Sequence, residues 1–591
     1  MGVPSLWRYL EDHRLLRHLG KGSDSLECNH LFVDMNSVMH GCYSPKLPTS
    51  KDTIENILST LERVLEKLNP SDSVTFAFDG VAPLAKLATQ RDRRRTQLEG
   101  ISKKNVDLNQ AMIVTGSTFV HECEQVLIGA IKEWVASKKI NTTLPVYVSS
   151  FQAPGEGETK LTRRLLSIAS DQIAKGTYTG SDVSIFVGTD SDLVLGCIGC
   201  TPYHNLFVMN PHTELLTDVG TLLTHWINLS QNRFLPLDLL PSFRIDFVAC
   251  LALAGCDFYK GLEEKSIELW KQYRNLRLEG GFYRHSLITS SEYKFNFDLL
   301  IGMFSKNKKK NKLIIEHFVG SQNKKKKKLA ELQRDDQNMG NAADVQVGVN
   351  LLNSALWSLV TLVEGECPSF TKTFPPTTPK PSCIRAAAMR SRQSVGVPRF
   401  STSAAATAAA SSSSSAPLTE TILPPISVFL GAIGRAKLCP QPFQTILSQE
   451  KHSRFHGLNA VSTIAPAIAS ILEDATTNKE FAAQLKHPSV APMMVLRPLH
   501  EYTVITTAGE VSNVVLSSAY TEKVDGPCVS VHSVGFTYPS YLTTISFAGA
   551  TYPIPQRKEK VVEAVEVEAT TSPKPVEEGK TSTKEETTTS N

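Results

Sequence analysis

Short apolar runs alternate with longer segments of helical periodicity over the first half of the chain. The runs cover residues 31–36, 74–78, 145–150, 184–195 and 205–210. Their length and their content of β-branched and aromatic residues are typical of buried strands. Apolar residues recur at helical spacing from Ile54 to Leu68, and further helices are predicted over 118–137 and from Glu158 onward. This alternation predicts an α/β fold, a mostly parallel sheet that helices cover on both faces.

Composition changes several times after residue 300. Lysine runs indicate an exposed insertion, a stretch rich in Ala and Ser indicates a linker, and a Lys-, Glu- and Thr-rich end indicates disorder. A strong apolar helix over 349–363 begins a smaller, mainly helical second region. The predicted organisation is therefore a core over 1–300, a lysine-rich insertion over 301–347, a helical region over 348–396, a linker over 397–420, a further folded region over 421–555 and a tail over 556–591.

Overall charge and composition exclude several classes of protein. The 591 residues have a formal net charge of +4 and are 41% hydrophobic, so a nucleic-acid site would have to be a local patch. No run of eighteen apolar residues appears, and we expect no membrane span. The first residues lack the features of a signal or transit peptide. We expect the eleven scattered cysteines to be reduced, in a protein of the cell interior, either nuclear or cytoplasmic.

The sequence DGVAPLAKLATQRDRRR, residues 79–95, joins an acidic residue to a basic helix. Asp79 follows the predicted strand 74–78, a position where α/β sheets place ligand sites. The helix after Pro83 carries, at spacings of four, three and one, the side chains of Lys86, Gln90, Arg93 and Arg94. Such a face suits a phosphate group, and the carboxylate suits Mg²⁺. Taken alone, the pattern also fits a solvated amphipathic helix after a turn aspartate.

Seven carboxylates recur at turns, most of them directly after a predicted strand or beside glycine. They are Asp34, Asp79, Glu156, Glu158, Asp190, Asp192 and Asp257. We expect them to converge at the sheet edge, where their repulsion would raise carboxylate pKa values unless cations were present. Two divalent ions would resolve this and would activate water for phosphodiester hydrolysis. Each residue taken alone also fits a helix cap or a turn.

Six segments in this order resemble the Xrn family of 5′→3′ exoribonucleases, within the flap-nuclease superfamily. They are MGVPSLWRYL, LFVDMNSVMH, FAFDGVAPLAKLATQRDRRR, PGEGETK, GTDSDLVLG and LAGCDF, spread over residues 1–258. A weaker similarity to the second conserved region of the family returns over 353–370 and 424–443. The resemblance implies a PIN/flap-nuclease-like core and hydrolysis of 5′-monophosphorylated RNA to 5′-mononucleotides, in RNA decay or processing.

The resemblance also implies roles for particular residues. The seven carboxylates would bind two Mg²⁺ or Mn²⁺ ions, and the four helix residues would form the pocket for the 5′ monophosphate of single-stranded RNA. His40 matches the residue that stacks on the first bases. The expected partners include decapping or RNA-processing proteins, and the expected state is a monomer.

Some features depart from the family pattern. The family pairs the histidine with an aromatic residue in a Trp-rich stretch, which here reads CPSFTKTFPP, so either Phe370 or Phe374 substitutes or the aromatic sandwich is lost. Trp357 is expected in the core, and Asp246 is expected to cap a helix over 246–254. Two alternatives stay open: a structure-specific flap endonuclease acting on DNA, and an inactive RNA-binding scaffold.

Overall fold

The structure is a computed structural model in which one unit, Met1–Ile554, contains every described residue. It describes residues 6–18, 27–46, 49–99, 108–139, 144–229, 239–263, 265–279, 285–289, 293–305, 341–393, 422–506, 508–516, 544–547 and 550–553. The predicted linker 397–420, the predicted tail 556–591 and most of the predicted lysine-rich insertion lie outside these residues.

The strands of the structure are β1 Leu16–His18, β2 Cys28–Asp34, β3 Pro70–Ala77, β4 Val146–Ser149, β5 Ser184–Val187, β6 Leu206–Met209, β7 Leu215–Asp218, β8 Gly255–Cys256, β9 Tyr259–Lys260, β10 Ile288–Thr289, β11 Lys294–Phe295, β12 Glu501–Ile505, β13 Val511–Val515, β14 Thr544–Phe547 and β15 Ala550–Pro553.

The α-helices are α1 Leu6–Asp12, α2 Met35–Cys42, α3 Ser50–Leu68, α4 Leu84–Glu99, α5 Thr118–Ala136, α6 Gly157–Lys175, α7 Ser191–Gly199, α8 Val219–Leu229, α9 Leu240–Leu253, α10 Ser266–Glu279, α11 Phe297–Met303, α12 Ala342–Glu364, α13 Pro381–Gln393, α14 Ile426–Ile433, α15 Phe443–Leu447, α16 Val461–Thr477 and α17 Lys479–Gln484.

A nine-stranded sheet has the order β1-β7-β6-β5-β2-β3-β4-β12-β13. Its five central strands, β6, β5, β2, β3 and β4, are parallel, whereas the two strands at each end run antiparallel to their neighbours. The predicted α/β fold with a mostly parallel sheet is therefore confirmed. The antiparallel ends were not predicted, and one of them brings β12, from far along the chain, against β4.

The register of the central strands aligns their carboxyl ends. Asp34 of β2 pairs with Ala77 of β3, and Val33 pairs with Val187 of β5. Ala77 in turn pairs with Ser149 of β4. The loops that follow these four strands therefore leave the sheet at one edge, which is where ligands bind in parallel α/β sheets.

Successive side chains of the central strands enter two different apolar cores. Phe32 packs in the core formed with α1, α6, α7, α9, α10 and α12, while Leu31 and Val33 pack in the core formed with α2, α3 and α5. Because side chains alternate between the faces of a strand, both faces of this sheet are buried. The prediction of helices on both faces is confirmed.

A third apolar core joins α4 to the second region of the chain. Leu87 and Leu98 of α4 pack there with α14, α15 and α16. Gly431 makes this approach close, since a Cβ at that position would lie 2.5 Å from Cδ1 of Leu87. The second region is thus packed directly on the predicted basic helix.

Helix α12 is long and apolar enough to cross a membrane by length and composition alone. In the structure 67% of its most apolar 18-residue window is buried inside the protein. Trp357, at the middle of the helix, is fully buried, as the sequence predicts. The helix begins at Ala342, so its first turns fall inside the segment that was assigned to the lysine-rich insertion.

Several elements differ from the sequence prediction. The predicted strand 31–36 ends at Asp34, and α2 begins at Met35. Residues 184–195 form a strand only as far as Val187, and α7 begins at Ser191. Asp246 lies inside α9, which begins at Leu240, so it does not cap that helix. It is fully buried and accepts hydrogen bonds from Arg277 Nη1 and the N–H groups of Leu287 and Ile288 at 2.8–2.9 Å. This carboxylate fastens the chain after α10 to the core.

Candidate active site

The carboxylates at the ends of β2 and β3 are held by a shared set of neighbours. Asp34 caps α2, accepting the N–H of Asn36 at 3.0 Å and the hydroxyl of Ser37 at 2.5 Å. Asp79 accepts the side-chain amide of Asn36 at 2.5 Å and the N–H of Gly157 at 2.6 Å. Asn36 therefore links the two strand ends, and Gly157 adds the start of α6 to them.

Gly157 separates two further carboxylates, Glu156 and Glu158, at the start of α6. A Cβ on this glycine would lie 2.9 Å from Oδ1 of Asp34 and 3.2 Å from Oδ1 of Asp79. Glu156 is 2% exposed and Glu158 is 9% exposed. The absence of a side chain at position 157 is what allows the helix to begin against the strand ends.

Two more carboxylates, Asp190 and Asp192, lie at the start of α7, as Glu156 and Glu158 do at the start of α6. Asp190 caps the helix and accepts the N–H of Asp192 at 3.2 Å. Asp192 is buried, and its Oδ1 accepts no hydrogen bond from any described residue. A buried carboxylate oxygen without a donor is costly unless a cation compensates it.

Asp257 brings the basic helix to the carboxylates. Its Oδ1 lies 2.5 Å from Nη2 of Arg93 and its Oδ2 lies 3.8 Å from Nζ of Lys86. Lys86 also donates a hydrogen bond to Oε1 of Glu156, and it is 8% exposed. The hydroxyl of Thr89 donates to the backbone carbonyl of Asp257 at 2.8 Å. Helix α4 is thus fixed against the acidic residues on one side.

Burial and mutual repulsion shift the pKa values of several of these groups. Burial, together with the charge of Asp79, raises the pKa of Asp34 to about 7. Burial also raises the pKa of Glu156 to about 7, although the charge of Lys86 opposes the shift. The pKa values of Glu158 and Asp192 are raised well above normal, by burial and then by the neighbouring carboxylates Glu156 and Asp190 respectively.

The donor set has the chemistry of a site for a hard divalent cation. It offers carboxylate oxygens, and the raised pKa values of Asp34, Glu156, Glu158 and Asp192 are those of buried carboxyl groups that a nearby cation would favour in the ionised form. Oδ2 of Asp257, like Oδ1 of Asp192, is buried without a hydrogen-bond donor among the described residues. Within the ranges that the structure covers, however, no three His, Cys, Asp or Glu side chains are grouped closely enough to hold a metal ion.

The other predicted phosphate-binding residues have different surroundings. Arg94 donates to the carbonyl of Ile113 at 2.8 Å, and its Nη2 lies 3.5 Å from Nε2 of His40. Burial and the charge of Arg94 lower the pKa of His40 to about 3. Gln90 lines a mostly apolar cavity of about 180 Å³ between α4, Phe370 and α14. The structure thus brings Lys86 and Arg93 to Asp257 and Arg94 to His40, and it places Gln90 at the edge of an apolar cavity.

The aromatic residues considered as partners of His40 have other contacts. The ring of Phe374 packs edge-on against Tyr259 and Trp357, with centroids 5.5 Å and 5.4 Å apart. Phe370 is 7% exposed, and its backbone carbonyl accepts the N–H of Leu84. Phe374 therefore belongs to the aromatic packing around α12.

Sequence reasoning missed Lys160 as a residue that supports the site. It is 4% exposed and donates to the carbonyls of Phe78 and Ser150 at 2.7 Å and 2.8 Å, which fastens the ends of β3 and β4 together. Burial lowers its pKa to about 7. The available signal was its place in PGEGETK, four residues after Glu156, because that spacing puts both residues on one side of α6.

Comparison with known proteins shows what the N-terminal region is similar to. Residues 1–212 match the family described as "XRN 5'-3' exonuclease N-terminus". The chain is 27% identical over 224 residues to 5'-3' exoribonuclease 1 of Schizosaccharomyces pombe, which covers 34% of this chain and 16% of that protein. It is 29% identical over 268 residues to 5'-3' exoribonuclease 2 of Debaryomyces hansenii, which covers 37% of this chain and 25% of that protein.

Among solved structures, the catalytic core of Rad2 in complex with DNA substrate matches with a TM-score of 0.30 and 14% identity, over 64% of this chain and 91% of that one. The similarity to the curated proteins spans a quarter of their length or less. The part of the chain that the family model matches, residues 1–212, includes six of the seven predicted carboxylates and the whole of α4. Residues 1–212 of this chain are therefore similar to the N-terminal region of XRN 5′→3′ exonucleases.

Proposed function

We propose that the protein is a 5′→3′ exoribonuclease that hydrolyses single-stranded RNA from a 5′-monophosphorylated end and releases 5′-mononucleotides. One observation carries the proposal. The start of α6 contacts Asp79 after β3, and Thr189 before α7 contacts Ser37 after β2. The basic helix α4 reaches Glu156 through Lys86 and Asp257 through Arg93. A nuclease that recognises the end of its substrate needs a phosphate-binding surface directly beside the site that cleaves the phosphodiester.

The seven carboxylates Asp34, Asp79, Glu156, Glu158, Asp190, Asp192 and Asp257 are the proposed ligands of two Mg²⁺ or Mn²⁺ ions. Such ions, when bound, supply an activated water and neutralise the charge that develops on the leaving oxygen. The residues of the chain orient the RNA. Water adds to the phosphorus of the first phosphodiester, the bond from phosphorus to the 3′ oxygen breaks, and the remaining RNA keeps the new 5′ phosphate.

We propose that the basic helix determines the length of the released product. The terminal phosphate would be bound by Lys86, Gln90, Arg93 and Arg94. Each arginine would donate two hydrogen bonds to it in a bidentate arrangement. His40 would stack on the first bases, and the low pKa of its ring keeps the ring neutral at physiological pH. A fixed distance from this pocket to the carboxylates yields single nucleotides, and a triphosphate or a cap fits less well because of its size and charge.

The test uses RNA that is labelled throughout its length and a double variant, Asp190→Ala with Asp192→Ala. Wild-type protein with Mg²⁺ should release 5′-mononucleotides from the first time point, and the folded double variant should release none. Circular RNA of the same sequence should survive. Cleavage of the circle, or fragments of intermediate length, would contradict the proposal and favour an endonuclease. The cellular compartment, the monomeric state and any decapping or RNA-processing partner remain predictions from the sequence.

A further inference from the structure

Arg91 lies in the middle of the basic helix, yet its side chain points away from the carboxylates. It is 1% exposed, whereas Arg93, two residues later, reaches Asp257 on the other side of α4. The sequence RDRRR presents these arginines as one cationic surface. In the fold, Arg91 is withdrawn from that surface and faces the second region of the chain.

The guanidinium of Arg91 joins two turns of the second region. Nη1 donates to the carbonyl of Gly431 at 2.5 Å, and Nη2 donates to the carbonyls of Phe455 and His456 at 2.6 Å and 3.2 Å. Gly431 lies in the last turn of α14, where carbonyls lack helical partners and the helix dipole favours a cation. Arg91 therefore satisfies the carbonyl groups of Gly431 and Phe455 in buried hydrogen bonds and that of His456 in a partly buried one.

The surroundings of this guanidinium leave it little freedom. The ring of Phe455 lies 5.0 Å from Cζ of Arg91, a cation–π contact. On another side is Gly434, which ends α14 at φ 61°, and a Cβ there would lie 2.9 Å from both terminal nitrogens of Arg91. Three segments distant in sequence thus converge on one side chain.

We propose that Arg91 is a positioning residue: by tying α4 to the end of α14 and to residues 455–456, it fixes the distance between the phosphate-binding face of α4 and the carboxylates. This inference rests on the proposed 5′-monophosphate specificity. The second region would thereby affect the chemistry of the first, because the position of helix α4 determines where Lys86 and Arg93 lie.

The experiment compares four variants on RNA with a 5′ monophosphate and with a 5′ hydroxyl. Arg91→Met removes the bridge, Arg91→Lys restores a single donor, and Gly434→Ala disturbs the guanidinium from the opposite side. Arg95→Gln is the matched control, since Arg95 reaches the same segment through partly exposed bonds to His456 and Leu458. All assays run at a temperature where each variant is shown to be folded.

For Arg91→Met and Gly434→Ala we expect KM for the monophosphorylated RNA to rise on the order of tenfold. Turnover of the hydroxyl RNA should stay unchanged, Arg91→Lys should recover part of the loss, and Arg95→Gln should resemble wild type. An equal loss on both RNAs would show a purely structural role and overturn the inference, as would no change on either.

Hydrogen exchange of α4 separates this inference from the proposed function. Wild-type protein without any preference for the monophosphate would contradict the proposed function itself, and exchange would then decide whether Arg91 fixes the helix. Faster exchange across Leu84–Glu99 in Arg91→Met, but not in Arg95→Gln, is the expected result. Unchanged protection of α4 in Arg91→Met would overturn the bridge.

Discussion

The backbone N–H of Gly157 donates a hydrogen bond to Oδ1 of Asp79 at 2.6 Å. This bond joins the acidic end of β3 to the start of α6, which carries Glu156 and Glu158. The bond explains why the residue between the two glutamates is a glycine, because a side chain at this position would clash with Asp34 and Asp79.

Gly157→Ala should abolish nuclease activity while leaving the protein folded, since the added Cβ would lie 2.9 Å from Oδ1 of Asp34. RNA decay and thermal unfolding measure the two effects. The control is Gly129→Ala in α5, where no atom lies within 4 Å of the new Cβ. That change should leave activity intact and add up to about 1 kcal/mol of stability. Normal activity in Gly157→Ala would show that the start of α6 does not need this close approach.

Asp192→Asn should reduce RNA hydrolysis on the order of a hundredfold or more, as expected for loss of a metal-binding carboxylate. In chelator its melting temperature should equal or exceed that of wild type, because burial and Asp190 raise the pKa of this carboxyl. Mg²⁺ should raise the melting temperature of wild type much more than that of the variant. Asp171→Asn, an exposed carboxylate in the same region of the chain, is the control. Identical stabilisation of all three proteins by Mg²⁺ would exclude Asp192 as a ligand.

Arg93→Gln should lower kcat/KM for 5′-monophosphorylated RNA about tenfold, the cost of one charge-assisted contact to phosphate. The effect on 5′-hydroxyl RNA should be small. Steady-state kinetics on the two RNAs, with Arg95→Gln as the control on the same helix, measures the difference. If kcat/KM falls equally on the two RNAs, Arg93 positions Asp257 and does not bind the terminal phosphate.

Glu364, at the end of α12, should make the protein less stable as the pH rises. Burial, followed by the charge of Glu366, raises its pKa to about 7. The folded protein therefore holds a proton that the unfolded chain releases between the ordinary value near 4.5 and pH 7, so stability falls as pH rises through this window. Above pH 7 the cost is complete, at about 3 kcal/mol.

Glu364→Gln should remove this dependence. Urea unfolding of both proteins at pH 5 and pH 8 measures it, and the variant should gain about 2.5 kcal/mol relative to wild type between these values. Glu366→Gln, at a partly exposed position two residues away, should show a much smaller change. A stability difference that is the same at both pH values would contradict the shifted pKa of Glu364.

The central part of the fold could be predicted because its strands are short, apolar and separated by regular helices. The strand ends at Asp34 and Asp79 followed from the same pattern. The antiparallel strand β12 could not be predicted, since nothing in EYTVI indicates that it pairs with Val146–Ser149 more than 350 residues earlier. Long-range pairing of this kind depends on the packing of the whole chain and not on local periodicity.

The site shows the same division. Residue types and turn positions predicted the seven carboxylates as metal ligands, and that role stays a prediction. The structure places Gly157, at the start of α6, against both Asp34 and Asp79. The direction of each side chain on α4 was beyond the pattern, because helical spacing does not reveal what packs on each face. Arg91 faces carbonyls of the second region, and Gln90 faces an apolar cavity. The contacts by which Asn36 and Lys160 hold the strand ends are seen in the structure. For Lys160, the spacing from Glu156 was the signal that the sequence offered.

The most direct test of the central claim is the decay of one RNA prepared with a 5′ monophosphate, a 5′ triphosphate or a 5′ hydroxyl, first with Mg²⁺ and then with chelator. We expect rapid release of mononucleotides from the monophosphorylated RNA alone, and no release in chelator. Decay that ignores the 5′ end, or that continues without a divalent cation, would contradict it.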